Sequence, residues 1–314
     1  MASRSVDRNI RQLYAILPTP FSQSSAVDYE AIRDHVIRLS EAGIPDALLT
    51  GAYGEFQSLT DEERYRVVSS VASVASGSIM ACAALPSTLH TVGLANRLLE
   101  AGAHRIMVAP PLIAEVNDRE ILRHFEVLSK RVEGPLVVYN NPIFGVDLNR
   151  ALLAEIAEFP QITGLKQGST APDGIQVAIE TLGARGRQVL AASDLKSVDS
   201  LEQGADGLTS TNCSIFPNAF RLILELAGTR RHSLAEDLRR ALDPYVDIVR
   251  LLGQPRTVKA AMVLRGYEGS AQVRLPYIQL DTDERGLLQV ALDRADEQLD
   301  AVIEHMADSD PSPG

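Results

Sequence analysis

Short apolar runs recur along the chain, separated by longer stretches in which apolar residues return every three or four positions. The runs are Leu13–Leu17, Ala47–Thr50, Ile79–Ala84, Arg105–Ala109, Leu136–Tyr139, Ile162–Lys166, Val189–Ala192 and Gly207–Thr209. Runs this short, apolar without alternation, suit strands buried on both faces of a parallel sheet. The stretches between them read as amphipathic helices. In Asp118–Val132, for instance, Ile121, Leu122, Phe125, Leu128 and Val132 fall on one face. Thr60-Asp61-Glu62-Glu63 is a capping box, with Thr60 closing a helix start and Glu63 reaching back.

The pattern also repeats. Ser40-Glu41-Ala42-Gly43, Leu99-Glu100-Ala101-Gly102 and Leu201-Glu202-Gln203-Gly204 each end a helical stretch with glycine, and a strand follows a few residues later. Glycine stops a helix at low cost because it accepts the left-handed conformation. Eight βα units without a break in composition predict an α/β fold, a closed (β/α)8 TIM barrel. No glycine-rich dinucleotide fingerprint follows the first run, which counts against a doubly wound sheet. Beyond Pro217 the pattern is helical only, to about His305. The expected division is a barrel over 1–225, a small C-terminal helical appendage over 226–307 and a disordered tail over 308–314.

Composition narrows the function. The 314 residues carry 30 basic and 41 acidic side chains, a net charge of −11, which does not favour a nucleic-acid partner. No run reaches the ~20 apolar residues of a membrane span. The polar N-terminus lacks a signal-peptide core, so a cytoplasmic location is expected. The two cysteines, Cys82 and Cys213, form no disulfide framework and read as inert small apolar residues. The six histidines show no metal-binding spacing, and His104 and His124 read as surface or helix-flank residues. Lysine occurs only at 130, 166, 196 and 259, against 26 arginines, so each lysine merits attention for its amine.

In a barrel of this kind the active site is built at the C-terminal ends of the strands. Lys166 ends the sixth run there. A partly dry barrel mouth lowers a lysine pKa, and the free amine can attack a carbonyl to form a Schiff base. A structural ion pair is the other reading. Tyr139, one unit earlier, either moves protons for such chemistry or packs at a strand end. In Gly51-Ala52-Tyr53-Gly54, backbone N–H groups can converge on a carboxylate, or the glycines serve only a tight turn. Glu55 reads as a residue that holds this loop by hydrogen bonds.

These motifs in this order resemble the dihydrodipicolinate synthase and N-acetylneuraminate lyase family of Schiff-base, pyruvate-dependent aldolases. The likeness runs from about Tyr14 to Leu280. It rests on Pro18-Thr19-Pro20-Phe21, Gly51-x-x-Gly54-Glu55 with Leu59-Thr60-x-x-Glu63, Tyr139-Asn140-x-Pro142, Gly164-Leu165-Lys166, and Val258-Lys259-Ala260-Ala261 with Arg274-Leu275-Pro276. The resemblance implies that Lys166 is the Schiff-base lysine and Tyr139 the proton-transfer residue. It also implies that the Gly51–Gly54 loop, with Ala52 and Tyr53, holds the carboxylate of a 2-oxo acid, and that Thr209 lies beside the imine. No cofactor or metal is implied, and the expected assembly is a homotetramer or homodimer.

The chain departs from the synthases in its specificity positions. Ala52 and Tyr53 replace a pair of threonines, so the hydroxyl relay built on the first of them is missing. Leu112-Ile113 replace a tyrosine pair that reaches a neighbouring subunit. Phe144 stands where the synthases carry an arginine for the second substrate's carboxylate, so L-aspartate semialdehyde is expected to be a poor partner unless an arginine reaches in from elsewhere. The expected function is therefore a Schiff-base lyase acting on a pyruvate-like 2-oxo acid, by aldol cleavage or condensation or by dehydration. Dihydrodipicolinate synthase proper is the alternative, and an inactive oxo-acid-binding barrel is the alternative of another class.

Overall fold

All eight expected strands form, and each pairs in parallel with its neighbours until β8 returns to β1 and closes the barrel. The computed structural model describes residues 11–142 and 145–309. The strands are β1 Gln12–Ile16, β2 Asp46–Leu49, β3 Ile79–Cys82, β4 Arg105–Val108, β5 Leu136–Asn140, β6 Ile162–Gln167, β7 Gln188–Ala191 and β8 Gly207–Ser210. The helices between and after them are α1 Tyr29–Glu41, α2 Asp61–Ala72, α3 Thr88–Glu100, α4 Asp118–Arg131, α5 Arg150–Ile156, α6 Gly174–Thr181, α7 Ser197–Glu202 and α8 Pro217–Leu226. Four more follow: α9 His232–Ala241, α10 Asp243–Leu252, α11 Arg256–Leu264 and α12 Thr282–Ser309. Helix α12 packs against α9, α10 and α11 and carries the chain past the expected start of the tail at 308, while 310–314 lie outside the described residues. None of the helices among the described residues is long and apolar enough to cross a membrane.

The sequence signals act where they were read. Thr60 and Glu63 make both bonds of the capping box. Gly43, Gly102 and Gly204 stop their helices at φ 84°, 106° and 106°, values that L side chains rarely adopt. The apolar stripe of α4 buries Ile121, Phe125 and Leu128. His124 departs from expectation. It sits on that buried stripe instead of the surface, with its Nδ1 2.9 Å from Thr88 Oγ1, and burial pushes its pKa down to about 4. His104 is exposed, and its Nδ1 accepts from the Ile79 N–H at 3.0 Å.

Alternate residues of each strand face the barrel axis, which divides the interior into layers. At the N-terminal end the floor is polar: Arg105 bonds to Gln188 and, at 3.1 Å, to Thr163, and Gln188 in turn bonds to Gln12 at 2.5 Å. Above it Tyr14, Leu48, Met80, Met107, Val137 and Leu190 form a dry apolar plug. Polar side chains reappear only at the C-terminal mouth, where Lys166, Thr209 and Ser210 are buried. Cys82 and Cys213 are buried too, and desolvation pushes both thiols up, as befits inert residues.

Candidate active site

Tyr139 and Lys166 are direct partners across the β5–β6 ladder. Both point into the barrel, and the Lys166 ammonium nitrogen lies 3.9 Å from the centroid of the Tyr139 ring. Lys166 is only 3% exposed. A cation over an aromatic face is attracted by the ring quadrupole, so the phenol ring both positions the amine and tolerates its charge. Beyond the strand the chain turns, and Asn141 Nδ2 donates to the Tyr139 hydroxyl at 2.7 Å. Asn140 ties the same turn down: its amide nitrogen reaches Asp147 and Gln167 at 3.0 and 3.1 Å, and its Oδ1 accepts from Leu148 N.

The loop after β2 closes over the mouth as two 3-10 turns, Ala52–Gly54 and Phe56–Ser58. Thr50, ahead of the first turn, and Glu55, between the two, stand at φ 50° and 56°, a left-handed conformation that costs a non-glycine residue of order 1–3 kcal/mol. Several bonds from outside the loop hold that strain. Thr19 Oγ1 donates to Gly54 O at 2.7 Å, Arg64 to Phe56 O at 2.6 Å, and Thr50 Oγ1 to Cys82 O at 3.3 Å. The fully buried Glu55 carboxylate accepts from Lys259 and, at 2.9 Å, from the Arg274 N–H, which is the anchoring role read from the sequence. Within the loop, Gly54, Glu55 and Phe56 donate to Gly51 and Ala52 carbonyls. Ala52 and Tyr53 are the first residues of the turn, where a helical turn presents its N–H groups outward. At Gly51 a Cβ would meet Leu48 Cδ2 at 2.9 Å, so a side chain there needs Leu48 to shift.

The structure thus brings Gly51, Ala52 and Tyr53 over Tyr139 and Lys166, with Ala52 and Tyr53 packed on the same interior cluster as Tyr139. The Tyr53 pKa is pushed up to about 12, mainly by burial and further by the nearby Asp194 carboxylate. Thr209, on β8, lines a side cavity together with Tyr53. Its hydroxyl donates to Ala191 O at 3.4 Å. Phe144, the proposed apolar replacement for an arginine, lies outside the described residues.

A second buried lysine competes for the role of nucleophile. Burial lowers the Lys259 pKa to about 8, outweighing the adjacent Glu55. Its amine, however, donates to Glu55 and to Gln272 O at 2.9 Å and rests 4.1 Å from the Phe21 ring centroid. A nitrogen so engaged braces the loop; it has no approach left for a carbonyl carbon.

Sequence reasoning assigned no role to Asp194, which follows β7. Its Oδ2 accepts from Ser210 Oγ at 2.9 Å and Asn212 Nδ2 at 2.6 Å, and it senses the Lys166 charge. Burial nevertheless pushes its pKa up to about 6. Its place at a strand end was the available signal.

Comparison with known proteins agrees with this architecture. The 4-hydroxy-tetrahydrodipicolinate synthase of Haloarcula marismortui is 28% identical over 273 residues, spanning 86% of this chain and 89% of that protein. The crystal structure of chloride-inhibited dihydrodipicolinate synthase from Acinetobacter baumannii, complexed with pyruvate, superposes with a TM-score of 0.85 at 26% identity, covering 91% of this chain and 98% of that one. The 4-hydroxy-tetrahydrodipicolinate synthase structure from Methylacidiphilum fumariolicum, at 23% identity, shares the fold with a TM-score of 0.87 over 94% of this chain and 99% of its own. Barrel and relatives together define an aldolase-type lyase. Residues 9–295 match the Dihydrodipicolinate synthetase family, and the chain belongs to it.

Proposed function

We propose that the protein is a Schiff-base lyase acting on a pyruvate-like 2-oxo acid, with Lys166 as nucleophile and Tyr139 as the proton-transfer group. The observation that carries this reading is the buried Lys166 amine set 3.9 Å from the Tyr139 ring centroid at the barrel mouth. The neutral amine adds to the ketone carbon, and the carbonyl oxygen takes up a proton to become a hydroxyl. That hydroxyl leaves as water with a second proton, and the nitrogen, having given up one of its two protons, keeps the other in the protonated imine. Tyr139 lies where it can relay these protons, with Asn141 orienting its hydroxyl. The outward N–H groups of Ala52 and Tyr53 suit the carboxylate of the oxo acid, and Thr209 flanks the imine. The protonated imine then acts as an electron sink for making or breaking the next carbon–carbon or carbon–oxygen bond.

The named relatives favour a narrower reading, 4-hydroxy-tetrahydrodipicolinate synthesis from pyruvate and L-aspartate semialdehyde. Against it stands Ala52, which has no hydroxyl where the resemblance puts the first of two threonines. Borohydride reduction in the presence of pyruvate, followed by intact mass and peptide mapping, tests the shared first step. An adduct on Lys166 supports it, and no adduct ends it. A coupled assay with pyruvate and the semialdehyde then separates the synthase from other lyases. The homo-oligomer implied by resemblance remains part of the proposal, with Ile113, 48% exposed, on the surface a neighbour would cover. Light scattering on the purified protein tests it.

A further inference from the structure

The barrel mouth extends on its β7–β8 side into a cavity of about 210 Å³. Tyr53, Thr209 and Asp194 form its inner wall, and the outer wall comes from the C-terminal helices: Val249 and Arg250 of α10, and Gln254 just beyond. The cavity is therefore electrically graded. The Asp194 carboxylate stands on the inner wall, near Lys166, and a guanidinium stands at the outer rim. The Lys166 and Asp194 charges offset each other at the inner end, so the far end of a group held at Lys166 is drawn, if anionic, toward the guanidinium at the rim.

Arg250 is suited to receive it. Its ion-pair partner is Asp247, one turn earlier at 3.7 Å, and the two side chains are 66% and 70% exposed. So long and solvated a pair contributes little, and it yields readily to a bidentate partner. Gln254 Oε1 accepts from Thr211 Oγ1 at 2.9 Å, which engages the acceptor end of that amide and leaves its Nε2 donors for a ligand. A guanidinium fork beside an amide donor matches the two oxygens of a carboxylate.

The geometry points to Arg250 and Gln254 as the receiving pair for a carboxylate at the far end of the second substrate, or of the fragment released on cleavage. This inference rests on the reading of Lys166 as the imine-forming residue. It places the specificity for an anionic partner on α10, outside the barrel loops.

Glutarate serves as an unreactive probe with two carboxylates. Isothermal titration of the untreated protein should show its Kd weakened about tenfold or more in Arg250→Ala, the usual scale for one charge-assisted bidentate contact. Arg250→Lys should fall between, since an ammonium keeps the charge but not the fork. Arg221→Ala, which removes an exposed arginine paired within α8, controls for net charge and should bind like the wild type. Equal glutarate affinity in the wild type and Arg250→Ala overturns the proposal. Pyruvate and borohydride on the same proteins report separately on Lys166. Adducts on both the wild type and Arg250→Ala support the assignment of Arg250 to the second partner, and an adduct lost only in Arg250→Ala overturns it. Absence from both ends the Lys166 reading while the glutarate comparison still decides the anion site.

Discussion

Asn141 Nδ2 donates to the Tyr139 hydroxyl at 2.7 Å, from a position two residues further along the same strand-end turn. The phenol is thereby oriented by its own loop, in a chain that carries alanine and tyrosine, not threonines, at the facing positions 52 and 53. Tyr139→Phe is expected to slow imine formation by about 10²–10⁴-fold, the usual contribution of a general acid–base group. Asn141→Leu should produce a smaller loss and shift the pH dependence of the same step, because it removes one donor to the phenol without removing the phenol. Rapid-quench trapping with borohydride measures both, and a Tyr139→Phe rate within severalfold of the wild type would reduce Tyr139 to a packing residue.

Lys166→Arg should abolish the pyruvate adduct while leaving the circular dichroism spectrum unchanged. Arginine keeps the charge over the Tyr139 ring but has no deprotonated form at any working pH. A full adduct in this variant would move the chemistry to another lysine.

Lys259 is the other buried amine, and its removal should act on stability. Lys259→Met leaves the fully buried Glu55 carboxylate without its cation, and breaking one side of such a pair costs about 3–5 kcal/mol. Urea unfolding should show that loss. If stability instead stayed within 1 kcal/mol of the wild type, by the same scale, the pair would not be what braces the 50–55 loop.

Asp194 predicts the acid limb of activity. With its pKa pushed up to about 6 by burial, the carboxylate beside Lys166 is charged at pH 7 and becomes neutral as pH falls through 6. Imine formation should therefore change across pH 5–7 in the wild type. Asp194→Asn, fixed in the neutral form, should flatten that part of the profile, and an unaltered profile would separate Asp194 from the chemistry.

Glu63 and Arg274 predict sensitivity to acid. Their bidentate contact, 2.5 and 2.9 Å, holds the Glu63 pKa down at about 2, against an ordinary value of 4.5. Between those values the unfolded chain binds more protons than the folded one. The stability from this pair is thus complete above pH 4.5 and lost as pH falls toward 2. Arg274 also donates to Ser25 O and Ser58 O, so Arg274→Gln should cost about 1–3 kcal/mol at pH 7. The same variant should lose less than the wild type on going from pH 5 to pH 3, which urea titrations at the two pH values would show.

The architecture was legible in the sequence because its signals are local. A strand buried on both faces must be apolar throughout, a helix on its outside must repeat every three or four residues, and the stops at Gly43, Gly102 and Gly204 need only a left-handed residue. Lys166 and Tyr139 were legible for a related reason: each ends an apolar run, and strand ends in a parallel barrel converge on one mouth. Contacts between residues distant in the chain carry no such signal. Nothing near Glu55 in sequence indicates Lys259, 204 residues away. Arg250 sits in an ordinary amphipathic helix, and only the packing of α10 against the barrel mouth brings it to the cavity shared with Asp194 and Thr209. His124 was misjudged for the same reason, since polarity is a property of the side chain but burial depends on what packs against it. The sequence determined the barrel and the position of its lysine because periodicity and strand-end placement are properties of short segments. The closed fold decided which charges meet around that lysine, because it alone sets distances between segments that the chain keeps far apart.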